Sequence, residues 1–475
     1  MNLKRINIVA TLLIIAIITL PFNDLPHFHD ILRELSYEGS AYPMLIAIGL
    51  FFWGSLFQKR DIPKHISFWF LCFFIMWIII SGVLNIPTIV VNFTKGRSGF
   101  EKFLFQLILL AIMISSSLII YHVMKNNWGI SGVYIFRKCV LGSFLVASIV
   151  GIVDIFHLAG EKWASDLLLL TNPLIHNFPE ILLYRLRSVS GEPSWFGMYM
   201  AFTFPWVFSF LLTEKRHRVL FLLLVLFALV MAYFTRSRIS YITIIIELII
   251  FIVVLLAKAG RRVRRGAIYV IGAVVVCSLI VMFASVEEPV EKITNLVSTL
   301  ITSQQGEEFY MSNVSRFGSQ QTAYNIGLDH PIIGVGFGQY GFYMPYYLPD
   351  YAYNNPEIII YASFLDNTAW APAHGLFARL LAEIGFIGLA LFVMIWATFL
   401  WSCWSTYRVL NKINPGLSSI GLALILSTLG VLMVGFTADT FRFFGYWFTL
   451  AVGWYYFETP RLLKKEAGML TVRET

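Results

Sequence analysis

The residues best suited to chemistry in this sequence are arginines that lie beside long apolar runs. Arg236 and Arg238 occupy a Thr-Arg-Ser-Arg hairpin of a few residues between two such runs. Arg187 precedes another run, and Arg97 and Arg316 lie in further polar segments. A planar guanidinium group can donate two parallel hydrogen bonds to phosphate oxygens. Arginines that converge from separate segments therefore predict a site for a phosphate or pyrophosphate group.

Two other residues could move a proton. His374 directly precedes a long apolar run, and the ordinary pKa of imidazole suits a general base near neutral pH. Glu192 lies in the segment RSVSGEPSWFGMY and could be an acid/base group or an ion-pair partner of the arginines. A structural histidine, and a carboxylate favoured by the positive end of a helix dipole, are the alternatives.

The elements that position these residues are predicted to be membrane-spanning helices. Hydrophobic residues make up 58% of the 475 residues and charged residues only 13%, whereas about 25% is usual in a soluble domain. A disordered chain would also be far more polar. The net charge of +8 is typical of basic cytoplasmic loops and does not require nucleic acid as a partner. The four cysteines have no metal-ligand spacing, so neither a disulfide framework nor a metal site is expected.

Apolar runs of roughly 20 residues, enough to cross a bilayer, predict about twelve spanning helices in an all-α polytopic membrane protein. The first run has no small-residue cleavage site, so we expect an uncleaved helix there rather than a signal peptide. With the N-terminus inside, 22 of the 35 Lys and Arg residues fall in inner segments, which predicts that both termini are cytoplasmic. The runs lie near 6–20, 43–57, 66–86, 103–121, 139–157, 197–213, 218–234, 239–257, 267–285, 375–402, 417–437 and 443–457.

This topology divides the chain into three parts. Residues 1–285 form helices 1–9, with an outer loop near 158–196; residues 286–374 form one long outer loop; and residues 375–475 form helices 10–12 and a cytoplasmic tail. The long loop is expected to be functional. Its aromatic residues could pack at the interface or stack on sugars. They include Tyr340, Phe342, Tyr343, Tyr346, Tyr347, Tyr351, Tyr353 and Tyr361.

Arginines on the outer side are contrary to the positive-inside rule, so their position requires an explanation. Extension to lipid headgroups, or pairing with carboxylates, explains a single arginine. A phosphate site better explains several arginines in separate segments. The arginines predicted at or near the outer face are Arg97, Arg185, Arg187, Arg236, Arg238, Arg316, Arg379 and Arg442.

Two carboxylates lie within the apolar runs themselves. Glu383 is four residues after Arg379, so the two are expected to pair on one helix face, roughly opposite His374. Glu247 lies near the middle of the eighth helix and is either functional or a hydrogen-bonded packing residue.

Three segments together resemble the bacterial O-antigen polymerase and O-antigen ligase family of membrane glycosyltransferases. They are Arg187 to Trp195, the Thr-Arg-Ser-Arg hairpin with its following helix, and HPIIGVG at 330–336 followed by His374 and by Glu383 to Gly388. In the ligases the histidine is usually followed by Asn, Ser or Gln, whereas Gly375 follows it here. That difference, with the Glu-Pro-Ser triplet at 192–194, favours a polymerase.

The resemblance implies a GT-C-like helical fold in the bacterial inner membrane, with its outer side in the periplasm. It implies donor and acceptor glycans on undecaprenyl pyrophosphate, with no cofactor, no catalytic metal and no nucleotide sugar. Membrane lipids and a chain-length regulator protein are further expected partners. His374 would remove the proton of the attacking hydroxyl, with Glu192 as a second candidate. The pyrophosphate would be bound by Arg187, Arg236 and Arg238, with Arg97 and Arg316 as additional candidates.

Two other functions fit parts of the sequence. An O-antigen ligase performs the same chemistry and differs in its acceptor, the lipid A core. A polysaccharide flippase or other transporter would typically show internal repeats and polar sites at the bilayer midplane. The sequence has no visible repeat, and its unusual polar residues gather on one face, which favours a glycosyltransferase.

Overall fold

The computed structural model describes residues 8–28, 32–55, 61–258, 310–365, 369–466 and residue 468, and most of these residues are helical. One short antiparallel hairpin, β1 (Phe93–Thr94) and β2 (Arg97–Ser98), joins two helices. In chain order the α-helices are α1 (Ile8–Ile18), α2 (Ala41–Ser55), α3 (Ile66–Leu84), α4 (Ile86–Val91), α5 (Gly99–Val123), α6 (Gly132–Leu158), α7 (Lys162–Ile175), α8 (Pro193–Thr213), α9 (Arg218–Phe234), α10 (Arg238–Lys258), α11 (Tyr310–Asp329), α12 (Tyr340–Tyr347), α13 (Pro356–Ala362), α14 (Leu376–Ile413), α15 (Pro415–Val434) and α16 (Phe444–Glu466).

Six helical segments of the described chain are long and apolar enough to cross a membrane, so the protein is an all-α, multi-pass membrane protein. One of the six contains both α5 and α6, which a short irregular turn separates. Eleven of the twelve predicted runs fall on helices, and the ninth, near 267–285, lies outside the described residues. The count of about twelve spans and the cytoplasmic location of both termini stay predictions.

Helix α8 lies at the centre of the bundle, where it packs against α6, α9, α10 and α15. Every residue from Phe196 to Phe210 is buried, as expected for a helix that is apolar on all sides. Trp206 donates its indole N–H to the hydroxyl of Ser427 (3.1 Å), which in turn donates to the carbonyl of Phe202 (2.8 Å). This chain of hydrogen bonds fixes α15 against α8 and satisfies polar groups that lipid could not solvate.

Helix α14 is interrupted at Gly385, whose φ of 68° and ψ of −174° are not helical. The loop between α11 and α12 fills this break. Val335 donates its N–H to the carbonyl of Ala382 (3.0 Å), and Gly336 donates to the carbonyl of Glu383 (2.8 Å). The glycine-rich loop thus donates hydrogen bonds to carbonyls that lack their usual helical partners because the helix is interrupted. The loop therefore has a structural role, because it closes the break in α14.

Glycine is required on both sides of this contact. A Cβ on Gly334 would lie 2.3 Å from the carbonyl carbon of Glu383, and one on Gly385 would lie 2.2 Å from the carbonyl oxygen of Ile332. Both glycines also have φ near +65°, where a side chain is disfavoured. Two segments that carried the family resemblance, at 330–336 and 383–388, therefore meet in space.

We expect Gly385→Ala to destabilise the protein strongly. The substitution adds the strain of a positive φ, of order 1–3 kcal/mol, to a steric overlap with backbone that cannot move aside. Thermal unfolding in detergent, followed by size-exclusion fluorescence, measures the loss. Gly49→Ala is the matched control, because nothing lies within 4 Å of a Cβ at this helical glycine. Equal stability of the two variants would contradict the structural role of the break.

The part of the predicted outer loop that the structure describes is folded and helical. Helices α11, α12 and α13 pack on one another and on α14 around a small separate core. Members of this core include Ala323, Ile326, Tyr340, Met344 and Ala378. Because α11 is mostly polar and its apolar face is formed by small residues, the sequence suggested no helix there. Phe342 and Tyr340 are packed inside, whereas Tyr346, Tyr351 and Tyr353 are exposed.

Candidate functional site

The candidate site lies at one end of the helix bundle, where the first residues of α8, α10 and α14 approach α11. Arg238, the first residue of α10, donates through Nη2 to Oδ1 of Asn313 on α11 (2.6 Å). Gln320, also on α11, donates through Nε2 to the carbonyls of His374 (2.6 Å) and Phe436 (2.9 Å). Helix α11 therefore joins the arginine hairpin to the residue predicted as the base.

His374 is held in an unusual backbone conformation directly before α14. Its φ is 52°, in the left-handed region, and its carbonyl accepts the Gln320 hydrogen bond. The preceding N–H, of Ala373, donates to Oδ2 of Asp439 (2.6 Å), in the loop between α15 and α16. Strain of this kind persists only where surrounding contacts impose it, and such positions cluster at functional sites.

The imidazole of His374 is buried in surroundings that favour its neutral form. Its Nε2 is buried and has no hydrogen-bond partner among the described residues. Burial lowers the pKa of His374 below its ordinary value; the positive charge of Arg316 lowers it further, and the negative charges of Asp439, Glu357 and Glu192 oppose the shift. The ring therefore stays neutral at neutral pH, while three carboxylates are present to stabilise an imidazolium after proton uptake.

Four arginines are close enough to act on one another electrostatically, and one of them, Arg316, also acts on His374. Burial lowers the pKa of the Arg185 guanidinium, Glu192 opposes that shift, and Arg316 and Arg236 lower the pKa further. Arg316 and Arg185 also act on Arg238. Mutual repulsion among these cations is relieved when an anion binds between them, and guanidinium groups bind phosphate oxygens with charge-assisted hydrogen bonds. The group of Arg185, Arg236, Arg238 and Arg316 is called the arginine cluster below.

Glu192 is close enough to both Arg185 and His374 to act on them electrostatically. It directly precedes α8 and is exposed, and its Oε2 accepts a hydrogen bond from the hydroxyl of Ser194 (3.0 Å). Its negative charge acts on both Arg185 and His374. Both functional possibilities from the sequence, an ion-pair partner and a proton acceptor, are compatible with this position.

Arg187 is engaged inside its own loop. Its side chain is 5% exposed, and it donates through Nη1 to the carbonyl of Gly191 (3.1 Å) and through Nη2 to the carbonyl of Glu180 (2.6 Å). Its backbone N–H donates to Oδ2 of Asp154 on α6 (3.2 Å). These contacts make Arg187 a residue that shapes the loop before α8, and a direct role in phosphate binding stays a prediction.

Arg97 belongs to a different group of residues. It lies on strand β2 with its guanidinium carbon 5.3 Å from the centre of the Trp370 ring, and Lys102 lies 5.1 Å from the same ring. Neighbouring Lys95 donates to the carbonyls of Ile360, Tyr361 and Ala369. The hairpin thus supports the loop that leads to His374, while phosphate binding by Arg97 stays a prediction.

Sequence reasoning missed Asp439 and noted Tyr361 and Arg185 only as members of larger sets. Asp439 is 65 residues after His374, and only the fold of the last two helices brings it there. Tyr361 has its ring centre 6.2 Å from that of His374, and its hydroxyl donates to Glu357 (2.7 Å). Arg185 was noted only as one outer arginine among eight. Acidic residues that follow a spanning helix on the outer side were the available signal for Asp439.

The expected pair of Arg379 and Glu383 is confirmed, with Nε and Oε2 3.1 Å apart and both side chains largely buried. Arg379 also donates to the carbonyl of Asp439 (2.7 Å) and to Oε1 of Gln106 (3.0 Å). Through Arg379, the pair therefore holds the loop that contains Asp439 in place. Glu247 is buried on α10, and neither carboxyl oxygen has a hydrogen-bond partner in the described part of the chain.

Part of the chain matches a known family. A family model described as O-antigen ligase matches residues 220–393, which include Arg236, Arg238, Arg316 and His374. No curated protein matches the chain. The match does not separate polymerases from ligases. Over these residues, the match supports the resemblance of the chain to the O-antigen polymerase and O-antigen ligase family.

Proposed function

We propose that the protein is an O-antigen polymerase. It joins oligosaccharide repeat units carried on undecaprenyl pyrophosphate at the periplasmic face of the inner membrane. The observation that carries this proposal is that Arg316 acts electrostatically both on the buried imidazole of His374 and on Arg185 and Arg238 of the arginine cluster. A glycosyl pyrophosphate already has a good leaving group, so the reaction needs cations for the departing diphosphate and a base for the acceptor hydroxyl.

The reaction proceeds as a displacement at the anomeric carbon of the donor. The acceptor hydroxyl oxygen forms the new glycosidic bond while the bond from the anomeric carbon to the pyrophosphate oxygen breaks. Nε2 of His374 takes the hydroxyl proton, and the arginine cluster stabilises the negative charge that develops on undecaprenyl pyrophosphate. The buried Nε2 without a described partner supports the first role, and the four neighbouring cations support the second.

Asp439 is proposed as the residue that positions the base. Its side chain fixes the N–H directly before His374, and its own carbonyl is fixed by Arg379. Its charge favours the imidazolium that forms when the proton is taken. Arrangements in which a carboxylate orients a histidine and stabilises its charged form are widespread in general-base catalysis.

The polymerase is favoured over the ligase by Gly375, directly after the histidine, and by the Glu-Pro-Ser triplet at 192–194. The ligase is the second candidate, because the matching family model has that description. Both use lipid-linked oligosaccharides. A chain-length regulator protein is a proposed partner of the polymerase.

Deletion of the gene is expected to leave surface lipid A core that carries at most one repeat unit. A polymerase makes the long chains, whereas transfer of single units to the core continues without it. Gel electrophoresis of extracted lipopolysaccharide, together with analysis of lipid-linked glycans, measures both pools. Long chains that accumulate on the lipid carrier and never reach lipid A core would identify a ligase instead.

A further inference from the structure

Helix α7 presents a stripe of apolar side chains away from the protein. Trp163, Leu167, Leu170 and Leu174 are spaced i, i+4, i+7 and i+11, so they lie on one face of the helix. Their exposed fractions are 49%, 38%, 72% and 68%. Helix α7 follows the spanning segment that ends at Leu158 and, with 14 residues or about 21 Å, is too short to cross a bilayer. An apolar stripe of this size on a helix that does not span the membrane is expected to be covered by lipid or by another protein surface.

The opposite face of α7 is fixed to the protein. Ala164, Leu168 and Asn172 are buried against α6 and the following loop. Asn172 donates through Nδ2 to the carbonyl of Pro179 (3.3 Å). Directly after the helix, Nε2 of the buried His176 lies 3.2 Å from the carbonyl of Ser188. The helix is therefore part of the fold, and the exposure of its stripe does not result from a loosely attached segment.

The stripe continues a surface that already faces lipid. On α6, which lies within a candidate span, Leu145, Ile149, Ile152 and Phe156 are exposed at the same spacing. The ring of Phe156 contacts the ring of Trp163, with centres 5.2 Å apart. The lipid-facing surface of α6 is thus continuous with the stripe of α7. Trp163 lies where the two helices meet, and tryptophans are enriched at the interface between membrane and water.

The polar residues of α7 complete the pattern. At 100° per residue, the stripe and the buried face are separated by roughly 130°. Lys162 and Asp166 lie on the remaining side and are exposed. The helix thus has one face for protein, one apolar face, and a third side where Lys162 and Asp166 lie together with the exposed Leu169. A charged flank beside an apolar face is expected of a helix that lies flat at a membrane surface.

We propose that α7 is an in-plane membrane helix whose stripe inserts at the boundary between lipid headgroups and acyl chains. The loop that carries Arg185 and Arg187 is tied to α7 through Pro179 and Ser188. Insertion of α7 therefore fixes these arginines at the depth of lipid phosphates. The assignment rests on burial, spacing and continuity with α6, and it holds whether or not the proposed enzymatic function is correct.

The test compares two labelled positions in phospholipid vesicles of phosphatidylethanolamine and phosphatidylglycerol. Leu170→Cys and Asp166→Cys are made in a variant whose four native cysteines are alanine, and each is labelled with an environment-sensitive fluorophore. We expect blue-shifted emission at 170, with quenching by spin-labelled lipid and little quenching by aqueous iodide. The label at 166 should show the reverse order of quenching.

Two outcomes would overturn the proposal. Strong iodide quenching at 170 would place the stripe in water, and protection from both quenchers would mean that another protein surface covers it. If the cysteine-free variant does not fold, the wild-type protein is irradiated in vesicles that contain a phospholipid with a photoreactive group near its headgroup. Adducts should map to the stripe of α7, and their absence there, with adducts present on α6, would also refute insertion.

Discussion

His374→Ala is expected to lower the rate of chain extension by about 10²–10⁴-fold, the usual contribution of a general base. The variant loses the proton acceptor but keeps the arginine cluster, so it should still bind the lipid-linked donor. Purified protein with synthetic lipid-linked repeat units allows turnover and donor binding to be measured separately. His27→Ala is the matched control, because His27 is an exposed histidine outside the site. Turnover above about a tenth of wild type would refute the base assignment and turn attention to Glu192.

The pH dependence gives an independent test of the same role. Only neutral imidazole accepts a proton, so the rate should fall as pH drops through the pKa of His374. Burial lowers this pKa below its ordinary value, so full activity should extend below neutral pH. Asp439→Asn keeps an oxygen acceptor for the N–H of Ala373 but removes a charge that raises the pKa. The acidic limb of its rate profile should therefore move to lower pH, and an unchanged limb would show that Asp439 has no electrostatic effect on the base.

The sequence predicted those residues of the candidate site that lie at the ends of apolar runs. Arg236, Arg238 and His374 were placed on one face because a spanning helix brings its terminal residues to the membrane surface, however distant they are along the chain. All three residues lie within the part of the chain that matches the family model. The pairing of Arg379 with Glu383 was predictable because it is local and follows helical spacing.

Features that depend on loop geometry could not be predicted in this way. Arg187 resembled the other outer arginines, but its guanidinium is bonded to carbonyls of its own loop. Asp439 reaches the site only because α15 and α16 return the chain to it. The sequence did not predict helix α11 of the outer loop, because this helix is mostly polar and leaves only a weak apolar pattern.

The variants Arg236→Lys and Arg238→Lys are each expected to be less active than the wild type, although both keep a positive charge. Lysine is a point charge that cannot form the paired, planar hydrogen bonds of a guanidinium group with phosphate. A hydrogen bond to a charged group contributes about 1.5–3 kcal/mol, so loss of one such bond predicts a decrease of about 10- to 150-fold in kcat/KM for the donor. Arg216→Lys serves as the control, because Arg216 is exposed at the opposite end of α8.

The arginine and histidine variants should fail in different ways, and this difference separates binding from chemistry. If the cluster binds the pyrophosphate, Arg238→Ala should weaken competition by free undecaprenyl pyrophosphate, whereas His374→Ala should leave that competition unchanged. Arg316 acts on both Arg238 and His374, so Arg316→Ala should weaken competition and also raise the pKa seen in the rate profile. Full activity of both Arg236→Ala and Arg238→Ala at normal protein levels would show that these side chains contact lipid headgroups and not the donor. The proposed leaving-group role would then have to be carried by Arg185 and Arg316, the two remaining members of the cluster.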